Sequence, residues 1–459
     1  MHVHLVEVLL ALVGVAVLLG LVAARLKVPY PILLVVGGLL LALQPWAPKV
    51  ELDPQLVFLL FLPPLLYAGA FRTRWPDFRD QLRAITLLAV GLVLFTTCCV
   101  AYAAHEWIGM TWPCSFILGA IVSPPDAVAA LAVTQRVKVP KIITTILEGE
   151  SLVNDASALV LLRIAVAAVG VTAFSPAQAI LDFLIVGAGG IALGLVGGWA
   201  AVRILSWMER TDLADAKLTI TGTFLVPFAV YLPAEHLHVS GVLAAVTAGL
   251  WVGNRCERVF SCDLYEEARA VWEWVEFLLE SLIFLLIGLM LHSVLENLSS
   301  NYTVPDLVRY VAIVSGVVIV SRIVWMYPGA YVPRWLDQKL LGKQVKYPPP
   351  RHVFVVGWTG MRGGVSLAAA LALPESVDGV PIAGRDLIQF LTFWVIFATL
   401  VGQGITLPWI IRGLGVQVKD GENGPDDDRH RLKCRPEPTE EEVPAHLPYH
   451  DSHSPGGSA

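Results

Sequence analysis

Glu150-Ser151-Leu152-Val153-Asn154-Asp155 places two carboxylates, a hydroxyl and an amide inside an otherwise apolar stretch of membrane length. Carrying an Asp or Glu to the centre of a bilayer costs roughly 2.5–3.5 kcal/mol on insertion scales, so such residues face a partner or a wet cavity and often mark an ion or proton path. Residues four apart on a helix share a side, whereas a separation of five swings the side chain away. Ser151 therefore shares a face with Asp155, and Glu150 shares a different face with Asn154. Glu150 needs a charged neighbour of its own, and Arg362 is its expected partner in a structural ion pair. Asp155 then has no fixed cation and is free to hold a movable one.

The surroundings make the membrane context firm. Hydrophobic residues are 56% of the chain and charged residues 15%, outside the range of a soluble core. At about 20 apolar residues per crossing, the sequence predicts thirteen spans, near 5–24, 29–43, 54–71, 84–104, 113–133, 142–170, 177–202, 217–233, 239–253, 271–292, 305–327, 352–374 and 387–411. The expected class is an all-α polytopic membrane protein whose partner is the lipid bilayer. Lys and Arg crowd alternate loops, such as Arg72–Arg83, Arg136–Lys141 and Arg334–Arg351, whereas the opposite loops hold only Lys49, Arg309 and Arg385. Positive loops stay cytoplasmic, which puts the N-terminus outside and the C-terminus inside. The first span lacks a basic leader and is read as a retained helix.

Two spans are interrupted. In Ile121-Val-Ser-Pro-Pro-Asp-Ala-Val-Ala129, two consecutive prolines remove backbone donors, so the helix should break just before Asp126. In Gly357-Trp-Thr-Gly-Met-Arg-Gly-Gly364, four glycines loosen the chain around the intramembrane Arg362. Broken helices are tolerated at membrane depth only where the freed backbone lines a protein cavity, and matching breaks in two halves point to a transporter site at a pseudo-twofold repeat. The same reasoning brings Asp126 to Asp155. A carboxylate shielded from water holds either a proton or a cation, and each displaces the other.

Other features exclude alternatives. No HExxH, GxSxG or Walker sequence occurs, so an enzyme or an ATP-driven pump lacks its chemistry, and no cofactor or nucleic-acid partner is expected. Gly187-Ala-Gly-Gly-Ile-Ala192 matches a dinucleotide fingerprint without a strand before it; Gly190, Gly194 and Gly198 instead have helix-packing spacing. The six cysteines show no CxxC spacing. Arg163 and Arg322 are expected to meet backbone carbonyls or acids at helix packing surfaces. The acid-rich end of the chain, which carries most of the net charge of −6, reads as a disordered cytoplasmic tail.

LEGESLVNDASALV (147–160), LGAIVSPPDAVAALAV (118–133), ESLIFLLIGL (280–289), SRIVWMYPGAYVPR (321–334) and GWTGMRGGVSLAAALALP (357–374) together resemble the monovalent cation/proton antiporters of the NhaP and eukaryotic sodium/proton exchanger type. The resemblance covers nearly all of residues 5–412. It implies an NhaA-like antiporter fold, with thirteen helices in inverted six-helix repeats and two broken helices crossing in the core, and a homodimer in the plasma membrane of a bacterium. It divides the chain into interface segments (1–83 and 172–303), core segments (84–171 and 304–412) and a tail (413–459). It implies an ion-binding and proton-exchange site of Asp155, Asp126, Ser151 and Asn154, with Na⁺ (or Li⁺) held by Asp155, Asp126 and Ser151 and exchanged for H⁺, and Asn154 before Asp155 as the mark of electroneutral one-for-one transport. A K⁺/H⁺ antiporter and a cation channel are the alternative readings. Two residues depart from the family pattern: Pro125 stands in place of a usual threonine, and Glu280 stands where an uncharged polar residue is expected.

Overall fold

The computed structural model describes residues 2–26, 28–44, 54–170, 175–211, 215–290, 294–295, 298, 302–342 and 346–417. The helices run α1 (His2–Leu26), α2 (Tyr30–Ala42), α3 (Pro54–Arg72), the short α4 (Trp75–Asp80), α5 (Leu82–Ile108), α6 (Trp112–Val122), α7 (Ala127–Val137), α8 (Lys141–Ala167), α9 (Pro176–Arg210), α10 (Ala216–His236), α11 (Gly241–Val259), α12 (Cys262–Leu289), α13 (Val304–Leu341), α14 (Pro350–Trp358), α15 (Gly364–Leu371) and α16 (Arg385–Gly413). A two-residue antiparallel hairpin, β1 (Ser376–Val377) with β2 (Val380–Pro381), joins the last two. The acidic tail expected over 413–459 lies outside the described residues from position 418 onward.

Each expected span falls on a helix or, at the two interruptions, on a pair of half-helices: α6 with α7, and α14 with α15. Among the described residues, six helical segments are long and apolar enough to cross a membrane on composition alone. Neither α8 nor α12 is among them. Their carboxylates, Glu148, Glu150 and Asp155 on one and Glu273, Glu276 and Glu280 on the other, lower the mean hydropathy of these two helices. Serine or threonine hydroxyls at Ser175, Ser240, Ser261 and Thr303 accept from first-turn N–H groups of α9, α11, α12 and α13. Each such cap stabilises its helix by about 1 kcal/mol.

The helices pack in two groups. In one, α5, α6, α7 and α8 pack together and against α13, α14 and α16; in the other, α1, α2 and α3 pack with α11 and α12, and α11 with α9 and α10. The small-residue stripe on α9 explains one of these seams. A Cβ at Gly190, Gly194 or Gly198 would run into Ser240, Ala244 or Ala248 respectively, so the two backbones approach at three successive turns. Close backbone approach is how helices gain van der Waals contact where lipid removes the hydrophobic driving force between them. Contacts of α12 with α15, of α3 with α15 and of α2 with α7 join the two groups around the interrupted helices.

Candidate ion site

The site grows from the two interruptions. After Val122 the chain has no amide donor at Pro124 or Pro125, and it is extended at Asp126, with φ −98° and ψ 122°. The Asp126 amide donates instead to the carbonyl of Met361 in the second interruption, at 2.7 Å. In return, Arg362 Nε donates to the carbonyl of Val122, the last residue of α6, at 2.8 Å. The Arg362 guanidinium also donates to the Gly360 carbonyl, and its backbone amide to Thr399 Oγ1 at 3.1 Å, where α16 makes a π-type turn. The two breaks are thus laced to each other, and backbone groups freed by Pro and Gly are satisfied inside the protein.

Half-helix ends carry partial charge, positive at the N-terminus and negative at the C-terminus. Asp126 occupies the N-terminus of α7, where its Oδ1 accepts from the Val128 amide at 2.8 Å. It also lies against the N-terminus of α15, because a Cβ added at Gly363 would land on its carboxyl group. Arg362 meets the opposite ends, since Val122 closes α6 and Gly360 follows α14. An anion therefore sits at two helix starts and a cation at two helix ends, as the backbone dipoles favour. Gly363→Ala is accordingly expected to displace the Asp126 carboxylate and to lower cation-driven proton movement in vesicles at least about tenfold. Overpacking at that contact should cost about 1–3 kcal/mol, read from melting in detergent.

Helix α8 passes beside this crossing, and its acidic run divides by face. Ser151 and Asp155 line a cavity of about 420 Å³ together with Asp126 and Glu280. Asp155 is only 7% exposed. Asn154 is fully buried and donates through Nδ2 to the carbonyl of Pro125 at 2.7 Å, so it holds the proline break and is not among the cavity-lining residues. Glu150 turns the other way and does not meet Arg362. Its carboxylate grips Arg322 of α13 in a two-pronged pair, Nη1 to Oε1 at 2.5 Å and Nη2 to Oε2 at 2.9 Å, with both side chains 1% exposed. The reason lies in where each arginine starts. Arg362 stands at the interruption and is taken by the carbonyls freed there, whereas Arg322 reaches across from α13 and also donates to the Val356 carbonyl of α14 at 3.2 Å.

The cavity continues past Glu148 and Glu276 to Arg72, Asp77, Lys141 and Arg269. Arg72 pairs with Glu276, and Lys141 with Asp77 at 3.1 Å. Glu280, the departure noted in the sequence, faces this cavity, and Tyr30 Oη donates to its Oε2 at 2.6 Å. Arg163 pairs with Glu235 at 2.5 Å, well away from the crossing. Arg322 meets an acid and a backbone carbonyl, as expected from the sequence, but sequence reasoning did not identify the acid as Glu150. The available signal was a second arginine inside an apolar span, in Val320-Ser-Arg-Ile323. Tyr30 and Thr399 gave no signal at all. As oxygen ligands for a hard cation, the cavity offers the carboxylates of Asp155, Asp126 and Glu280 and the hydroxyls of Ser151 and Ser366.

A helical membrane scaffold with two laced half-helix pairs and buried carboxylates at their crossing is the architecture of an ion-coupled carrier. The family described as the transmembrane sodium/hydrogen exchanger matches residues 10–413, and the chain belongs to that family. It is 33% identical over 387 residues to a sodium, potassium, lithium and rubidium/H⁺ antiporter of Bacillus pumilus, an alignment that covers 83% of this chain and 57% of that one. It thus spans somewhat more than half the length of that relative. It is 32% identical over 416 residues to the Na⁺/H⁺ antiporter NhaS2 of Synechocystis, with 89% of this chain and 71% of that one covered. Its fold is that of the sodium proton antiporter MjNhaP1 from Methanocaldococcus jannaschii at pH 8, with a TM-score of 0.63 at 19% identity over 90% of this chain and 99% of that structure.

Proposed function

We propose that this protein exchanges a monovalent cation for protons across a membrane, with Asp155 as the group that both ions occupy in turn. The observation that carries the reading is the cavity in which Asp155, Asp126 and Ser151 meet beside the crossed half-helices. Asp155 has no ion pair among the described residues, so a proton or a mobile cation must balance it. A dry carboxylate that accepts one of two ions at a time couples their movements without any further device. A cavity with its mouth at Arg72, Lys141 and Arg269 and the acids Asp126 and Asp155 at its other end suits alternating access better than the continuous path a channel needs.

The cation is Na⁺ or Li⁺ in the first reading. A second reading, K⁺, is favoured by one observation: the Bacillus pumilus relative that is 33% identical to this chain is described as a sodium, potassium, lithium and rubidium/H⁺ antiporter. Relaxation of a preset pH gradient in proteoliposomes, on addition of Na⁺, Li⁺ or K⁺ at several pH values, separates these. No cation-dependent relaxation with any of the three would overturn the exchange reading. The cavity mouth, with Arg72, Lys141 and Arg269, belongs to the basic loop set, so it opens to the cytoplasm and the N-terminus lies outside. We place the protein in the plasma membrane as a homodimer, with the two packing groups serving as the moving core and the fixed interface. Crosslinking in native membranes that yields only monomers would contradict the dimer.

Asn154 adds an amide where a second aspartate would add a titratable charge, and the expected exchange is therefore one H⁺ for one cation with no net current. In sealed vesicles, the pH gradient built by a Na⁺ gradient should be unchanged when valinomycin and K⁺ clamp the voltage at different values, once K⁺ is shown not to be carried. A reversal point that moves with voltage would refute the one-for-one assignment.

A further inference from the structure

Helix α12 presents Glu273, Glu276 and Glu280 at spacings of three and four, which puts them on one side of the helix. All three line the cavity. Ile283, less than one turn beyond Glu280, packs against Gly364 at the start of α15, next to the Gly363 that touches Asp126. The acidic face of α12 therefore descends from the cavity mouth to the neighbourhood of Asp126.

The partners change along this descent. Glu273 pairs with Arg269 at 3.3 Å and is half exposed, and Glu276 pairs with Arg72. Glu280 is 6% exposed and has no cationic partner among the described residues. The Tyr30 hydroxyl donates to Oε2, and among the described residues no donor meets Oε1 at the cavity wall. A buried carboxylate is costly to leave unbalanced, so its free oxygen calls for a proton or a mobile cation. Glu280 is also placed differently from the other two site acids. Asp126 and Asp155 belong to the packing group of α5–α8, whereas α12 and Tyr30 of α2 belong to the other group.

We propose that Glu280 is an affinity-determining residue for the transported cation on the face to which this cavity opens, contributing a third carboxylate from the opposite packing group, with Tyr30 fixing its orientation. The inference rests on the exchange reading above. Because Asp126 and Asp155 leave α12 behind when the carrier exposes its site to the other face, Glu280 adds to cation binding on one face only. Ligand charge count is a main lever on the affinity of an oxygen site.

The test compares wild type, Glu280→Gln and Tyr30→Phe in proteoliposomes of fixed orientation, with the cation (Na⁺, or K⁺ if that is the ion carried) presented to either face and its KM read for each. For Glu280→Gln, the ratio of the KM at the cavity face to the KM at the opposite face is expected to rise about tenfold. For Tyr30→Phe, which keeps the carboxylate but frees it, the same ratio should rise about threefold. A ratio unchanged in both variants, or a KM raised equally at both faces, overturns the proposal. Should Glu280→Gln fail to fold in detergent, the Tyr30→Phe ratio decides alone. Absence of cation-driven exchange in the wild type would mark a failure of the exchange reading itself, which is distinct from either result.

Discussion

Asp155→Asn is expected to reduce cation-driven proton movement to the level of protein-free vesicles while leaving the fold intact. The substitution keeps the side chain's shape in a pocket where it is only 7% exposed, and it removes the carboxylate that α8 presents to the cavity beside Asp126. Neither a proton nor a cation can then be held there, and without that choice the two movements are no longer linked. The checks are relaxation of a pH gradient in proteoliposomes and a melting curve in detergent, which should shift by no more than a few degrees. Proton-coupled flux surviving in this variant would sink the mechanism. Asp126→Asn should also be severely impaired. An Asn side chain keeps the cap on Val128 because its carbonyl oxygen accepts the same bond, so the loss would report on charge and not on helix ends.

Glu150→Ala and Arg322→Ala are expected to be the most destabilising single changes at the core, each by about 3–5 kcal/mol, because each leaves its partner charged and stranded where both are 1% exposed. Removing both at once should recover a large part of that loss. In a double-mutant cycle on melting in detergent, Glu150 with Arg322 should show a coupling toward the upper end of the usual range, about 0.5–3 kcal/mol, and a clearly larger one than Glu150 with Arg362. The guanidinium of Arg362 binds backbone carbonyls, so its loss uncovers Val122 and Gly360 and does not orphan a carboxylate. Stronger coupling of Glu150 to Arg362 than to Arg322 would contradict the pairing described here. The outcome matters for function as well as stability. The pair anchors α8 to α13, and through the Val356 carbonyl to α14, so the helix carrying Asp155 is tied to the half-helix that leads into the second break.

What one helix's own covalent order controls could be read directly. Apolar runs of membrane length mark the spans, since about 20 apolar residues are what a helix needs to cross the hydrocarbon with its backbone satisfied internally. Pro124-Pro125 and the glycines of 357–364 mark both interruptions, since a missing amide or a missing Cβ acts on the local backbone whatever surrounds it. Helical periodicity places Ser151 and Asp155 on the face that the cavity shares, and sends Glu150 elsewhere. The same periodicity also led to the wrong arginine for Glu150, and it gave no sign that the Asn154 amide donates to the Pro125 carbonyl. A 3.6-residue repeat sets the direction of a side chain relative to its own axis but carries no information about which neighbouring helix faces that direction, or at what depth. Arg322 for Glu150, the Tyr30 hydroxyl for Glu280, and the pressing of Gly363 onto Asp126 join residues 172, 250 and 237 positions apart. Such contacts exist only once α2, α12, α13 and the half-helices have packed. By itself the sequence determined that this is a polytopic membrane protein with two broken spans and a buried acid near them, and only the packing of helices from distant parts of the chain decided which charges neutralise one another and which are left without a counter-charge among the described residues.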